Sequence, residues 1–127
     1  MFRKAGWQVA LLVVSLLGVA QTAHAAEGMR ASFDAVERGY FDSAVTIWKA
    51  LAEKGDPQAQ FNLGLMYHSG LGIAQSEGEA VKWYQKAAEG GYSAARVYLA
   101  VGYEEGWFGL PQDQQKALYW REILGQN

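Results

Sequence analysis

The chain reads as an all-α protein, an α-solenoid of about three antiparallel helix pairs, and three observations point there. Small and apolar residues recur at helical spacing, and the set repeats after 36 residues: Ala59, Leu63, Gly64, Tyr67 and Gly70 are answered by Ala95, Leu99, Ala100, Tyr103 and Gly106. Helix-starting and helix-stopping residues fall at the joints between these segments. The third observation is the absence of cysteine from a 127-residue chain that is half apolar, so stability has to come from packing rather than from disulfides. Repeats of this length cannot bury an apolar face singly, and about three stacked units are the usual minimum.

Taken in order, the chain opens with the basic Met1-Phe2-Arg3-Lys4, an apolar run from Val9 to Ala20, and Ala23-His24-Ala25 before Ala26. A basic start, an apolar stretch of about 7 to 15 residues and a small-x-small site predict a secretory signal peptide over 1–25, cleaved after Ala25. The competing expectation is an uncleaved N-terminal anchor. After cleavage no stable membrane insertion is expected, and the destination is the periplasm or the medium. Loss of Arg3 and Lys4 takes the formal charge from −2 to −4. A mildly acidic chain without clustered Lys and Arg argues against nucleic acid as a partner.

The remaining residues, 28–127, divide into repeats at about 28–56, 57–92 and 93–127. Gly28 to Arg38 is predicted to form a first helix with Met29, Phe33, Ala35 and Val36 on one face, ended by Gly39. Asp42 or Ser43 is expected to cap a second helix carrying Ala44, Ile47, Trp48, Leu51 and Ala52. Asp56-Pro57 opens a third helix, because proline at the first helical position has no N–H to leave unsatisfied. Gly64 inside that helix predicts close approach of a neighbouring helix. Gly70 and Gly72 make the turn, and Ser76 to Glu79 fits a capping box at the head of a fourth helix that presents Ala80, Trp83, Tyr84, Ala87 and Ala88 inward. Ser93 starts the fifth helix and Asp113 caps the sixth, in which Ala117 and Trp120 repeat Ala80 and Trp83 after a turn one residue longer.

The run Ala59-x-x-x-Leu63-Gly64-x-x-Tyr67-x-x-Gly70-x-Gly72-Ile73, followed by Ala80-x-x-Trp83-Tyr84-x-x-Ala87-Ala88-x-x-Gly91, resembles a Sel1-like repeat. The resemblance is specific over 57–92, degraded over 93–127, and nearer the tetratricopeptide type over 28–56. It implies a right-handed superhelix of helix pairs acting as an adaptor for protein assembly or signalling, often in the bacterial envelope. Secreted cysteine-rich relatives have been associated with β-lactam binding; this chain lacks their cysteines, and that activity does not carry over.

Little in the chain suggests catalysis. His24 lies in the expected signal peptide, which leaves His68 alone, and a single histidine makes neither a two-histidine metal site nor a triad without identifiable partners. The adjacent Glu104-Glu105 point in different directions on a helix, and Gly70-x-Gly72 lacks the strand and lysine of a phosphate loop. The chain is therefore expected not to be an enzyme, with no catalytic residue, no metal and no cofactor. Its expected activity is binding a protein or peptide partner along a solenoid groove. The helical wheel places Gln58, Asn62, Leu65 and Ser69 in a row beside the stacking face, continued by Tyr98, Val101 and Glu105. Leu65 and Val101 suit ordinary packing between repeats equally well. Trp107 and Phe108, in the lengthened turn, either present rings to a partner or fold back onto the solenoid. On the last helix Tyr119 and Ile123 replace Lys82 and Lys86, and Arg121 replaces Tyr84, which makes that edge a candidate for docking on a partner or a second copy, unless the helix turns these residues to the core. The alternative function is an envelope protein binding or hydrolysing cell-wall glycan or peptide.

Overall fold

The computed structural model describes residues 21–124 and 126. Residues 21–37 are helical (α1), followed by α2 (Phe41–Glu53), α3 (Pro57–Ser69), α4 (Glu77–Glu89), α5 (Ser93–Glu105) and α6 (Gln114–Ile123). Among the described residues there is no strand. From α2 onward each helix packs on the next, the expected succession of hairpins in an all-α repeat fold.

The expected caps form at three of the four starts named from the sequence. The Asp56 carboxylate accepts from the Ala59 N–H at 3.0 Å, the Ser76 hydroxyl from Glu79 at 3.2 Å, and the Asp113 carboxylate from Lys116 at 3.1 Å. Each satisfies one amide that helix geometry leaves without a partner. The capping box at Ser76 is only half made. Glu79 pairs with Lys82, and the Ser76 N–H donates to the Tyr67 carbonyl at 2.9 Å. One repeat later the Asp113 N–H donates to Tyr103 in the same way at 2.7 Å. The start of α2 departs from expectation: its N-cap is Tyr40, without a side-chain cap bond, and Asp42 lies in the first turn. The cause is the short joint. The Tyr40 N–H closes onto Ala35 at 2.8 Å beyond Gly39, so helical backbone resumes before Asp42 can serve as a cap.

Helix α1 also starts earlier than Gly28. Residues 21–27 are helical, and Ala25 packs against the first core. The expected signal peptide otherwise lies outside the described residues. Among the described residues no helix is long and apolar enough to cross a membrane.

Two cores form, one on each side of the α3–α4 hairpin. The first gathers Ala35, Trp48, Leu51, Leu63 and Met66 with four small or β-branched neighbours; the second gathers Tyr84, Leu99, Tyr103, Leu110 and Trp120 around a set of buried alanines. Leu65 and Tyr67 touch both, so α3 joins the halves. The expected close approach at Gly64 is to α4: a Cβ there would stand 2.5 Å from the Tyr84 ring. At the equivalent position Ala100 carries its methyl group and is 2% exposed, because Arg121 replaces Tyr84 and turns to solvent. Gly72 has φ of 70° and lies so near the start of α2 that a Cβ would be 2.5 Å from the Phe41 carbonyl carbon.

A buried hydrogen bond repeats with the helices. The Gln60 side chain donates to the Ala52 carbonyl at 3.2 Å, and Arg96, 36 residues on, donates from Nε to Ala88 at 3.0 Å. Arg96 reaches further, with Nη1 donating to the Ile123 carbonyl at 2.6 Å. Its charge thus sits at the C-terminal ends of α4 and α6, where the helix dipoles are negative.

Candidate interaction surface

The predicted row on α3 does not lie on one open face. Gln58 does: with Met29, Arg30 and Phe33 of α1 it lines a depression between the first and third helices. Asn62, one turn further, is 8% exposed, and its Nδ2 is buried without a hydrogen-bond partner. It is a core residue rather than a groove residue, because the turn of α3 that carries it is covered on both sides. Leu65 is half-buried between the two cores, the packing role left open by the sequence. Ser69 is exposed at the end of α3 and donates to the Met66 carbonyl at 3.3 Å.

The α5 part of the row is similarly divided. Tyr98 is half-buried, with its ring 4.9 Å from Tyr84 and 5.7 Å from Phe61. Val101 is half-buried and Glu105 exposed. Phe108 folds back: it stacks on Tyr98 at 4.5 Å and meets the His68 ring edge-on at 5.0 Å. It does so with φ of 59°, a left-handed conformation costing roughly 1 kcal/mol or more for a bulky side chain. The extra residue in this turn makes that position necessary, and the aromatic stack offsets the strain. Trp107 remains 53% exposed and is the one ring of the pair presented outward.

At the C-terminal edge Tyr119 is 56% exposed, as its replacement of Lys82 predicted. Ile123 is not part of that open edge. It is half-buried against the second core, because an apolar side chain at this point folds inward where the lysine it replaces extends to water. Arg121 pairs with Glu104 across the α5–α6 hairpin.

Burial, with the nearby Tyr98 phenol adding to it, pushes the Tyr84 phenol well above its ordinary value. Its hydroxyl has no partner in hydrogen-bond geometry, so Tyr84 is a neutral packing group. Among the described residues no three His, Asp or Glu side chains gather as a metal site. Arg30 is not among the expected site residues, and Met29 and Phe33 are expected only as part of one apolar helix face. Their partial exposure depends on how α1 tilts against α3, which periodicity does not encode.

The family model for Sel1 repeats matches residues 57–92 and 93–120 and leaves the first helix pair outside it. A Sel1 repeat protein from Oxalobacter formigenes superposes with a TM-score of 0.60 at 40% identity, covering 67% of this chain and 64% of that one. A protective antigen of uropathogenic Escherichia coli strains with an SLR fold gives 0.61 at 39% identity, covering 67% of this chain and 18% of the antigen. Among curated proteins, the DAP3-binding cell death enhancer 1 of Rattus norvegicus is 45% identical over 56 residues, 44% of this chain and 11% of that protein. The chain thus spans a small part of that relative's length. Sel1 repeat proteins generally mediate protein–protein interactions. From the 36-residue stacking pattern, the helix hairpins it builds and these matches, the chain belongs to the Sel1 repeat family.

Proposed function

We propose that the chain is a non-catalytic interaction module that receives a peptide or a helix of a partner protein between α1 and α3. The observation that carries this reading is the depression in which Met29 and Phe33 supply apolar wall while Arg30 and Gln58 supply a cation and an amide. Apolar surface with a few polar groups suits a side chain flanked by a carbonyl or carboxylate. The repeats stiffen the site, since Gln58 stands on a helix whose first turn is fixed by Asp56 and Pro57.

Export completes the proposal. The basic start, apolar run and Ala-x-Ala site support removal of residues 1–25 and a module that works in the periplasm or outside the cell. Cleavage after Ala25 removes Thr22 and Ala25 from the rim of the depression and leaves Met29, Arg30 and Phe33 in place. N-terminal sequencing of the exported protein is expected to begin at Ala26; an intact Met1 contradicts it.

A photo-cross-linker placed at Gln58, compared with one at the exposed Lys49 of α2, tests the binding face in the intact envelope. Discrete protein adducts are expected at position 58 and not at 49. Equal adduct patterns at the two positions contradict the assignment.

A further inference from the structure

The two ends of the solenoid differ in a way that identifies a second surface, independent of the α1–α3 site. In the α3–α4 repeat, Phe61 and Val81 lie half-buried beneath the repeat that follows, with Phe61 5.2 Å from the Tyr92 ring and 5.7 Å from Tyr98. Their counterparts one repeat on are Val97 and Leu118. These are 47% and 54% exposed. The stacking positions therefore stay apolar at the α5–α6 end but are uncovered, and Tyr119 beside them extends the patch.

The opposite end of the described residues is richer in charge. The exposed positions of α1 include Glu27, Arg30, Asp34 and Glu37, and Arg38 just beyond it pairs with Asp34. Seating this end on the apolar one would take those charges out of water, with Lys116 and Glu122 among the exposed groups of α6 to meet some of them. Head-to-tail stacking would set Leu118 and Tyr119 against these charged groups, which pairing of the apolar end with the same end of a second copy avoids.

Helix α6 has the symmetry such pairing needs. Gln115, Leu118, Tyr119 and Glu122 are exposed and fall at i, i+3, i+4 and i+7, one stripe of the helix. Laid antiparallel on its own copy, the stripe sets Leu118 over Tyr119 of the partner subunit. It also sets the Gln115 amide against the carboxylate of the partner's Glu122. We propose that the α5–α6 end closes on the same end of a second copy in a two-fold dimer. Such an isologous contact ends with two subunits and makes no fibre. The patch is small, so the dimer dissociates on dilution.

Sedimentation velocity of the whole protein over a range of concentrations tests this, together with single cysteines, which the cysteine-free sequence makes unambiguous. Wild type is expected to show a reversible monomer–dimer equilibrium. Leu118→Asp with Tyr119→Lys, the latter restoring the residue found at Lys82, is expected to weaken it at least about tenfold with an unchanged circular dichroism spectrum. Mild oxidation of Tyr119→Cys is expected to give a covalent dimer, while Arg38→Cys at the polar end gives none. A wild-type protein that stays monomeric at every concentration overturns the proposal. So does cross-linking between Arg38→Cys and Tyr119→Cys chains, which would show head-to-tail contact.

Discussion

The second and third repeats fold alike, and their differences separate what holds the chain together from what is free to change. Where the second has Gly64 facing Tyr84, the third has Ala100 facing Arg121: the ring excludes a methyl group, and the outward-turned arginine admits one. Where the second ties α2 to α3 through Gln60, the third uses Arg96 and holds the end of α6 as well. These substitutions act in coupled sets, which is how packing and hydrogen bonding constrain a sequence. The lengthened turn is coupled in the same way: Leu71 becomes Trp107-Phe108, and core Met66 becomes Gly102, where a Cβ would stand 3.2 Å from Phe108. By contrast Lys82 becomes Tyr119 at a position that stays exposed.

The largest effect that would sharpen this comparison is the loss of Tyr84. Tyr84→Ala empties the junction between repeats and is expected to cost about 3 to 5 kcal/mol of unfolding free energy in denaturant titration. Trp83→Ala, at a half-buried ring covered by Lys86 at 4.4 Å, is expected to cost roughly half as much. Equal costs would mean the two aromatics share one environment, contrary to their burial.

A double-mutant cycle then tests the coupling itself. Gly64→Ala is expected to destabilise by about 1 to 3 kcal/mol through the clash with the ring, and to cost far less in a Tyr84→Arg background that copies the third repeat. Additive costs would break the account of Gly64. Arg96→Gln keeps the donor that Gln60 supplies to Ala52 but gives up the bond to Ile123. It is expected to cost about 1.5 to 3 kcal/mol and to speed amide exchange at the C-terminal end of α6 selectively.

How far these features could be read beforehand follows from their physical origin. The helices, the caps at Asp56, Ser76 and Asp113 and the close approach at Gly64 were legible because each depends on local spacing or on a residue with one conformational use. Tyr40 as the cap of α2 was hidden, since it results from how Gly39 closes the preceding helix. Arg96 reads as a surface charge until two helix ends are seen to converge on it. Asn62 reads as a groove amide because a helical wheel gives direction and says nothing of depth. Of the candidate residues, the outward position was legible at Gln58, Trp107 and Tyr119, while the Met29 and Phe33 wall beside Gln58 depends on how α1 packs on α3.

The smallest expected effect concerns pH. Tyr84 has its folded pKa raised above the unfolded value of about 10, so it contributes stability below that pH and loses it as pH rises, when the unfolded chain ionises first. The Tyr84→Phe protein should show a shallower fall in denaturation midpoint between about pH 9 and 11 than wild type.

The central claim is that the residues shared by the repeats hold the fold while binding lies outside them. Its most direct test is a single comparison of Arg30→Glu with Gln58→Ala against wild type, recording thermal midpoint and yield of the partner captured by cross-linking in cells. The account predicts a midpoint within about 3 °C of wild type with capture lost. Capture that survives, or that falls only in step with the midpoint, would contradict it.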